Sequence, residues 1–212
     1  GGKDGSYVAY NLKHKFKMNP LCVTVNPHLP TEVGKNNLEN FIKSGYDHIS
    51  INPDYELMRL MNRYGFETVG FPYFGWLVAI QTAVVKTALD LKINLIFYGE
   101  DGELEYGGKS RTKKNPIFKV DYQKEIYTEN SFEKVIKKIK NKDKYNFSYF
   151  KFESNKNKKL KKIDLTHWSS YEDWDPYRNY VVAKKFCNLQ ESSSNNIGTF
   201  TNFAQNDQAL VA

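Results

Sequence analysis

Two cysteines in 212 residues are few, and they stand far apart at Cys22 and Cys187. Neither belongs to a spacing that serves a zinc site or a disulfide framework, which excludes the small stapled classes. Cys22 lies in the strand-like run Leu21-Cys22-Val23-Thr24-Val25, where a core thiol is the natural reading. No apolar run approaches the roughly 20 residues that cross a bilayer, and no secretory core is present. The chain is therefore expected in the cytoplasm, with no membrane partner. Histidine is also scarce, at four residues. No Ser/His/Asp arrangement and no paired cysteine nucleophile can be assembled from the sequence. No internal repeat is evident.

Positive charge is plentiful but local. The formal net charge is +7, yet residues 134–162 hold twelve lysines against Asp143 and Glu153, so the rest of the chain is net acidic. Basicity of that kind belongs to a segment and not to the fold. Runs such as Lys137-Lys138-Ile139-Lys140 read first as a solvated helix face or a connection. Tyr145, Phe147, Tyr149, Phe150 and Phe152 between the lysines have the rings to stack on bases. Their near-alternation suits a strand equally well. Nucleic acid is the less favoured partner.

Apolar periodicity elsewhere alternates helix with strand. Residues 7–17 read as a helix and 21–25 as a strand. Pro27 and Pro30 end that strand, since proline lacks the ladder donor. Thr31 caps a helix running to about Ser44, ended by Gly45. Asp47–Asn52 is a short strand, and Pro53 opens a helix stopped by Gly65. A mostly apolar helix spans Trp76–Leu91, followed by the strand Ile93–Tyr98. A last helix starts near Arg178. Such alternation argues for a parallel sheet with helices on its faces, and ligands in such sheets sit beyond the strands' carboxyl ends. That rule gathers Gly1–Ser6, Asn26–Pro30, Asn52–Asp54 and Gly99–Gly108 on one edge.

The chemistry-bearing residues cluster on the same edge. Gly1-Gly2-Lys3-Asp4-Gly5-Ser6 precedes the amphipathic run of Tyr7, Val8, Tyr10 and Leu12. Glycines let backbone N–H groups approach an oxyanion, and a helix starting there aims its positive end at it. An ordinary glycine-rich loop is the alternative. Asp4 either orients this turn and metal-bound phosphate or caps the helix. Glu100, Asp101, Glu103 and Glu105 follow the best strand and have the chemistry for Mg²⁺ or a general base, with a solvated acidic turn as the alternative. His28, between two prolines, is placed to contact substrate or shuttle a proton, or to be a plain surface histidine.

The order Gly-Gly-x-Asp-x-Ser resembles the pyrophosphate loop of the ATP-pyrophosphatase (PP-loop) superfamily, usually written Ser-Gly-Gly-x-Asp-Ser. Here the leading Ser is absent and Gly5 stands before Ser6. The buried strand that precedes such a loop is missing too, so the chain is expected to be part of a longer polypeptide. Val23–His28 with Thr31-Glu32, Phe71–Trp76, Asn94–Glu100, Glu105–Gly108 and Trp174–Tyr177 resemble one branch in particular. That branch is the N-acetyl sugar amidotransferases of pseudaminic/legionaminic acid and lipopolysaccharide biosynthesis. Some relatives carry paired cysteines near Phe71–Trp76, and their absence here argues against structural zinc.

The resemblance implies an α/β fold with a doubly wound, mostly parallel sheet of the adenine nucleotide alpha hydrolase type, lacking its first strand. It implies a nucleotide-binding core over 1–110, a lysine-rich insertion over 111–163 and a C-terminal helical segment over 164–212 that completes the substrate site. Asp4, Ser6 and Glu100 are the implied catalytic residues. Gly1, Gly2, Lys3, Asp4, Gly5, Ser6 and Asn26 would bind ATP and its pyrophosphate. His28, Tyr106, Gly107 and Trp174 would contact substrate, and Asp4 and Glu100 would hold Mg²⁺. The implied activity is ATP-dependent conversion of an acetamido group on a nucleotide-activated sugar to acetamidino. Ammonia would come from a separate glutaminase subunit, because nothing here resembles a glutaminase triad. A homo-oligomer follows if another copy supplies the first strand. A tRNA-modifying PP-loop ATPase and a non-catalytic ATP-binding module are the competing readings.

Overall fold

The computed structural model describes residues 2–99, 115–120, 128, 131–153, 157–196 and 199–204. Within them helix and short strand alternate: α1 Lys3–His14, β1 Cys22–Val25, α2 Glu32–Lys43, β2 His48–Ile51, α3 Tyr55–Val69, α4 Phe74–Leu91, β3 Leu95–Tyr98, α5 Phe132–Lys138, β4 Asp164–His167 and α6 Pro176–Cys187. Local chemistry accounts for most boundaries. Thr31 Oγ1 accepts the Gly34 amide at 2.9 Å, satisfying an orphan donor at the start of α2. Asp175 does the same for Tyr177 and Arg178 ahead of Pro176, so α6 starts before the expected Arg178. α1 also starts ahead of its expected Tyr7, because Gly2 supplies an extended residue from which the helix can begin.

Two boundaries of α3 correct the sequence reading. Asp54, not Pro53, opens it, through its Oδ1 and the Leu57 amide at 2.9 Å. The helix then continues through Gly65 and ends at Gly70, whose φ of 73° is left-handed. Gly65 is a packing residue and not a stop. A Cβ there would overlap the Phe74 side chain and lie 3.2 Å from the Phe71 carbonyl, where the start of α4 presses on α3.

β1 and β2 pair in parallel from Cys22↔His48 to Val25↔Ile51. β3 and β4 pair in parallel from Leu95↔Asp164 to Tyr98↔His167. The chain is thus an α/β protein of short parallel sheets, and the same helices cover both. Val23, Val25, Ile49 and Ile51 pack with α3 and α4, while Ile96 and Tyr98 pack with Val85 and Ala88 of α4. On the opposite face Phe97 meets Tyr7, Val8 and Leu12 of α1, and Cys22 meets Ala9 and Phe41. The far edge of β4 is bridged antiparallel by Phe118, with Phe118 N to Leu165 O at 2.9 Å and the reciprocal bond at 3.1 Å.

α4 is long and apolar enough, by length and composition, to cross a membrane, which corrects the expectation that no run is. In this structure it is a core helix: Leu77, Val78, Ala79, Ala83 and Val85 are buried among α3, β1 and β3.

The lysine-rich segment is two-sided. Phe132, Val135, Ile139 and Phe150 are buried in one cluster with Met61, Phe74 and Val78, and Tyr145, Phe147, Tyr149 and Phe152 pack against it. Lys134, Lys137, Lys138 and Lys140 remain exposed. No strand forms over 145–152. The chain there is tied instead by polar bonds to the core helices, with Thr82 Oγ1 donating to Tyr149 O at 2.6 Å and the Asn146 amide to Asp54 Oδ2 at 2.9 Å. Phe150→Ala should therefore cost about 3–5 kcal/mol in urea unfolding, the price of a cavity under a fully buried ring. Lys140→Ala should stay within about 0.5 kcal/mol, as surface changes do.

Candidate functional site

α1 begins at the carboxyl edge of the parallel strands because glycine meets glycine there. A Cβ on Gly99, just after β3, would lie 2.5 Å from Gly5 Cα and 2.9 Å from Gly5 N, so only glycine permits this approach. Gly2 is the N-cap, and no side chain caps the helix. The Ser6 amide already bonds Gly2 O at 3.1 Å. The amides of Lys3, Asp4 and Gly5 are thus the donors that the helix leaves open. Three aligned N–H groups at the positive end of a 12-residue helix suit an anion.

Asp4 is inside the first turn, which corrects its reading as a cap. Its Oδ1 accepts from Asn179 Nδ2 at 2.8 Å and its Oδ2 pairs with Lys3. Both side chains of that pair are largely buried. Ser6 lies two residues further along; its hydroxyl is buried without a well-formed hydrogen bond, and the Cys187 thiol is close by. Gly2 to Ser6 line one cavity of about 1010 Å³ together with Asn26 at the end of β1 and Gly99 after β3.

The other expected site residues are distributed differently. Asn26 is held by a polar chain across the strand ends, Nδ2 donating to Asn52 Oδ1 at 2.7 Å and Ser50 Oγ to Asn26 Oδ1 at 3.3 Å. His28 stacks on Tyr55 with ring centres 4.2 Å apart, outside the cavity lining. Burial, and then the Arg59 charge, hold its imidazole below its usual 6.5, so it is neutral at neutral pH. Trp174 packs against the Tyr7, Val8, Leu12 and Trp168 cluster and also lies outside the cavity lining. Gly1, Glu100, Tyr106 and Gly107 lie outside the described residues. Among the described residues no three His, Cys, Asp or Glu side chains group as a metal site. Asn179, fully buried on α6, was not anticipated. Its signal is its place on the stripe that continues to Ala183 and Cys187, where an amide must have a partner.

A second polar cluster anchors α1 from behind. Glu172 Oε1 accepts from the Tyr7 hydroxyl and from Trp168 Nε1 at 2.6 Å, and pairs with Arg178 Nη2 at 3.1 Å. The Arg178 guanidinium sits over the Tyr7 ring at 5.0 Å. Burial and the Glu172 oxygen push the Tyr7 hydroxyl up to about 12. Burial alone would raise the Glu172 carboxyl, but the Tyr7 and Trp168 hydrogen bonds and the Arg178 charge outweigh it and hold it below 4.5. This cluster joins α1, the turn after β4 and the start of α6.

The chain matches no protein-family model and no curated protein.

A depressed carboxyl contributes stability above its unfolded value, and that contribution is lost as pH falls through the folded value. Glu172→Gln should lower stability by about 1–3 kcal/mol at pH 7. Below pH 4.5 it should converge with the parent as the parent's carboxylate protonates. Urea unfolding followed across pH reads both effects.

Proposed function

We propose that the chain is the nucleotide-handling core of an ATP-pyrophosphatase-type N-acetyl sugar amidotransferase, with the doubly wound sheet of that class. The observation that carries the reading is the uncapped start of α1. Lys3, Asp4 and Gly5, whose amides the helix leaves open, line one end of a large cavity that runs between β1 and β3. The order Gly-Gly-x-Asp-x-Ser at that position supports pyrophosphate as the anion, and the resemblance in the Phe71–Trp76 and Asn94–Gly99 segments supports the sugar-modifying branch.

An amide oxygen is a poor leaving group. In this reading the acetamido oxygen of a nucleotide-activated sugar attacks the α-phosphorus of ATP, and pyrophosphate departs. Ammonia from a glutaminase partner then adds to the adenylated carbon and AMP leaves, giving the acetamidino group. The Lys3, Asp4 and Gly5 amides hold the departing phosphates and stabilise charge as it develops there. Lys3 adds a positive charge by turning from Asp4 to phosphate. Asn179 keeps the Asp4 carboxylate at the cavity when Lys3 turns away. Asp4 fits a Mg²⁺ ion of the kind that takes one carboxylate together with phosphate oxygens, and such an ion neutralises phosphate charge. The exposed lysines of residues 134–140 lack free aromatic platforms beside them, since the described rings pack on the core, which favours the sugar over tRNA as acceptor.

The test is pyrophosphate release from ATP with Mg²⁺ and ammonium, comparing CMP- and UDP-linked diacetamido sugars with tRNA. Sugar-dependent release is expected, with a product mass shifted by replacement of oxygen with NH. Asp4→Asn should reduce that release about 10²-fold or more, with an unchanged far-UV spectrum. Release only with tRNA, or tight ATP binding with no turnover on any acceptor, overturns the reading.

A further inference from the structure

The cavity has two unlike ends. At the end of β3, Gly5 meets Gly99 and the uncapped first turn of α1 brings backbone amides. At the end of β1 the wall is aromatic. Phe71 and Tyr73, just ahead of α4, and Trp76 in its first turn all line the cavity. These three rings are only partly buried, whereas Phe74 and Gly75 between them are buried.

The aromatic end is held from two directions. Trp76 Nε1 donates to the carbonyl of Val25, the last residue of β1, at 3.0 Å. Asn62 Oδ1 reaches across from α3 and accepts the Gly75 amide at 2.8 Å and the Trp76 amide at 3.3 Å. Two of the donors that a helix start leaves open are thus taken at α4, unlike those of α1. This end therefore offers rings and not an anion site. Asn26 follows Val25 and brings a carboxamide to the same strand end of the cavity.

The rings form a corner and not a slot. Phe71 and Tyr73 stand 4.3 Å apart at 61°, and Tyr73 and Trp76 stand 6.3 Å apart at 79°. A flat base is gripped best between parallel faces. A pyranose chair directs C–H bonds along several axes, and each such positive edge is attracted to a negative ring face. Rings at steep angles, with one carboxamide beside them for hydroxyl or acetamido groups, fit that shape.

We propose that the corner of Phe71, Tyr73 and Trp76 holds the pyranose ring of the acceptor, its C–H face against Tyr73 and Trp76. This rests on the reading in which the acceptor is a nucleotide-activated sugar, and it adds the residues that grip the sugar. The division of the cavity lets phosphate occupy the α1 end while the sugar occupies the β1 end.

Tryptophan emission tests it without ATP, because Trp76 lines the cavity while Trp168 and Trp174 do not. The chain is titrated with a CMP-linked diacetamido sugar, the free sugar, and CMP alone. Both sugar ligands should change the emission saturably, and CMP should not. Tyr73→Ala should raise the Kd for the sugar about tenfold, and Tyr73→Phe should restore it, since the ring and not the hydroxyl makes the contact. An unchanged far-UV spectrum reports that each variant is folded. The inference is overturned if no sugar gives a saturable change, if CMP alone gives the full change, or if Tyr73→Ala binds the sugar as tightly as the parent. Sugar binding at this corner without sugar-dependent pyrophosphate release would overturn the proposed chemistry alone. Sugar-dependent release with an unchanged sugar KM in Tyr73→Ala would overturn the corner alone.

Discussion

The approach of Gly5 to Gly99 is the constraint on which the arrangement of this protein depends. It is a contact between backbones, and no side chain can be added at Gly99 without moving α1 off the end of β3. Because the helix is held there, the residues of its uncapped first turn line the cavity where β1 and β3 end. Tyr7, two residues further along α1, is held by Glu172 and Arg178 from the other side. The helix is pinned at its first turn by packing and in its second by charge.

The core reflects the same division. Buried residues fall into separate groups around β1–β2 and around β3–β4, with Ile80 of α4 touching both. A continuous sheet would carry one core across its middle strands. Here α4 does that work, which is why its eighteen residues bury apolar side chains on several faces and keep Gln81 and Thr82 buried as well. The lysine-rich segment closes this core from beyond α3, so its aromatic residues belong to the fold while its lysines belong to the solvent. Lysine at such positions lets a short helix cover apolar surface without exposing more of it.

Much of the fold was legible in the sequence because its signals are local. Thr31, Gly45 and the apolar runs marked α2, β1, β2, α4 and β3 to within a few residues. What failed was set by partners distant in sequence. Gly65 reads as a stop until Phe74 is seen against it. The aromatic alternation over 145–152 reads as a strand until Thr82 and Asp54 take its backbone groups. α4 has the length and composition of a membrane span, but its apolar residues on most faces read as a buried helix, and the structure buries it. At the candidate site, Gly2, Asp4 and Asn26 were legible because glycine and strand-end polar residues announce themselves. Asn179 was not, since a buried amide acquires its meaning from a carboxylate 175 positions away.

The electrostatics of the α1 start bear on what anion it can take. A carboxylate in the first turn is already stabilised by the helix dipole, so Asp4 competes with any ligand for the same field. The structure removes that competition by folding the Asp4 oxygens back onto Asn179 and Lys3, leaving the amides uncovered. An isolated carboxylate in this largely buried place would repel an arriving anion. Paired with Lys3 it presents no net charge, and in the proposed reading Lys3 turns to the phosphate while the neutral Asn179 keeps its hold on Asp4. A site built this way favours a polyanion that engages the amides and Lys3 together over a single carboxylate that can engage only one of them.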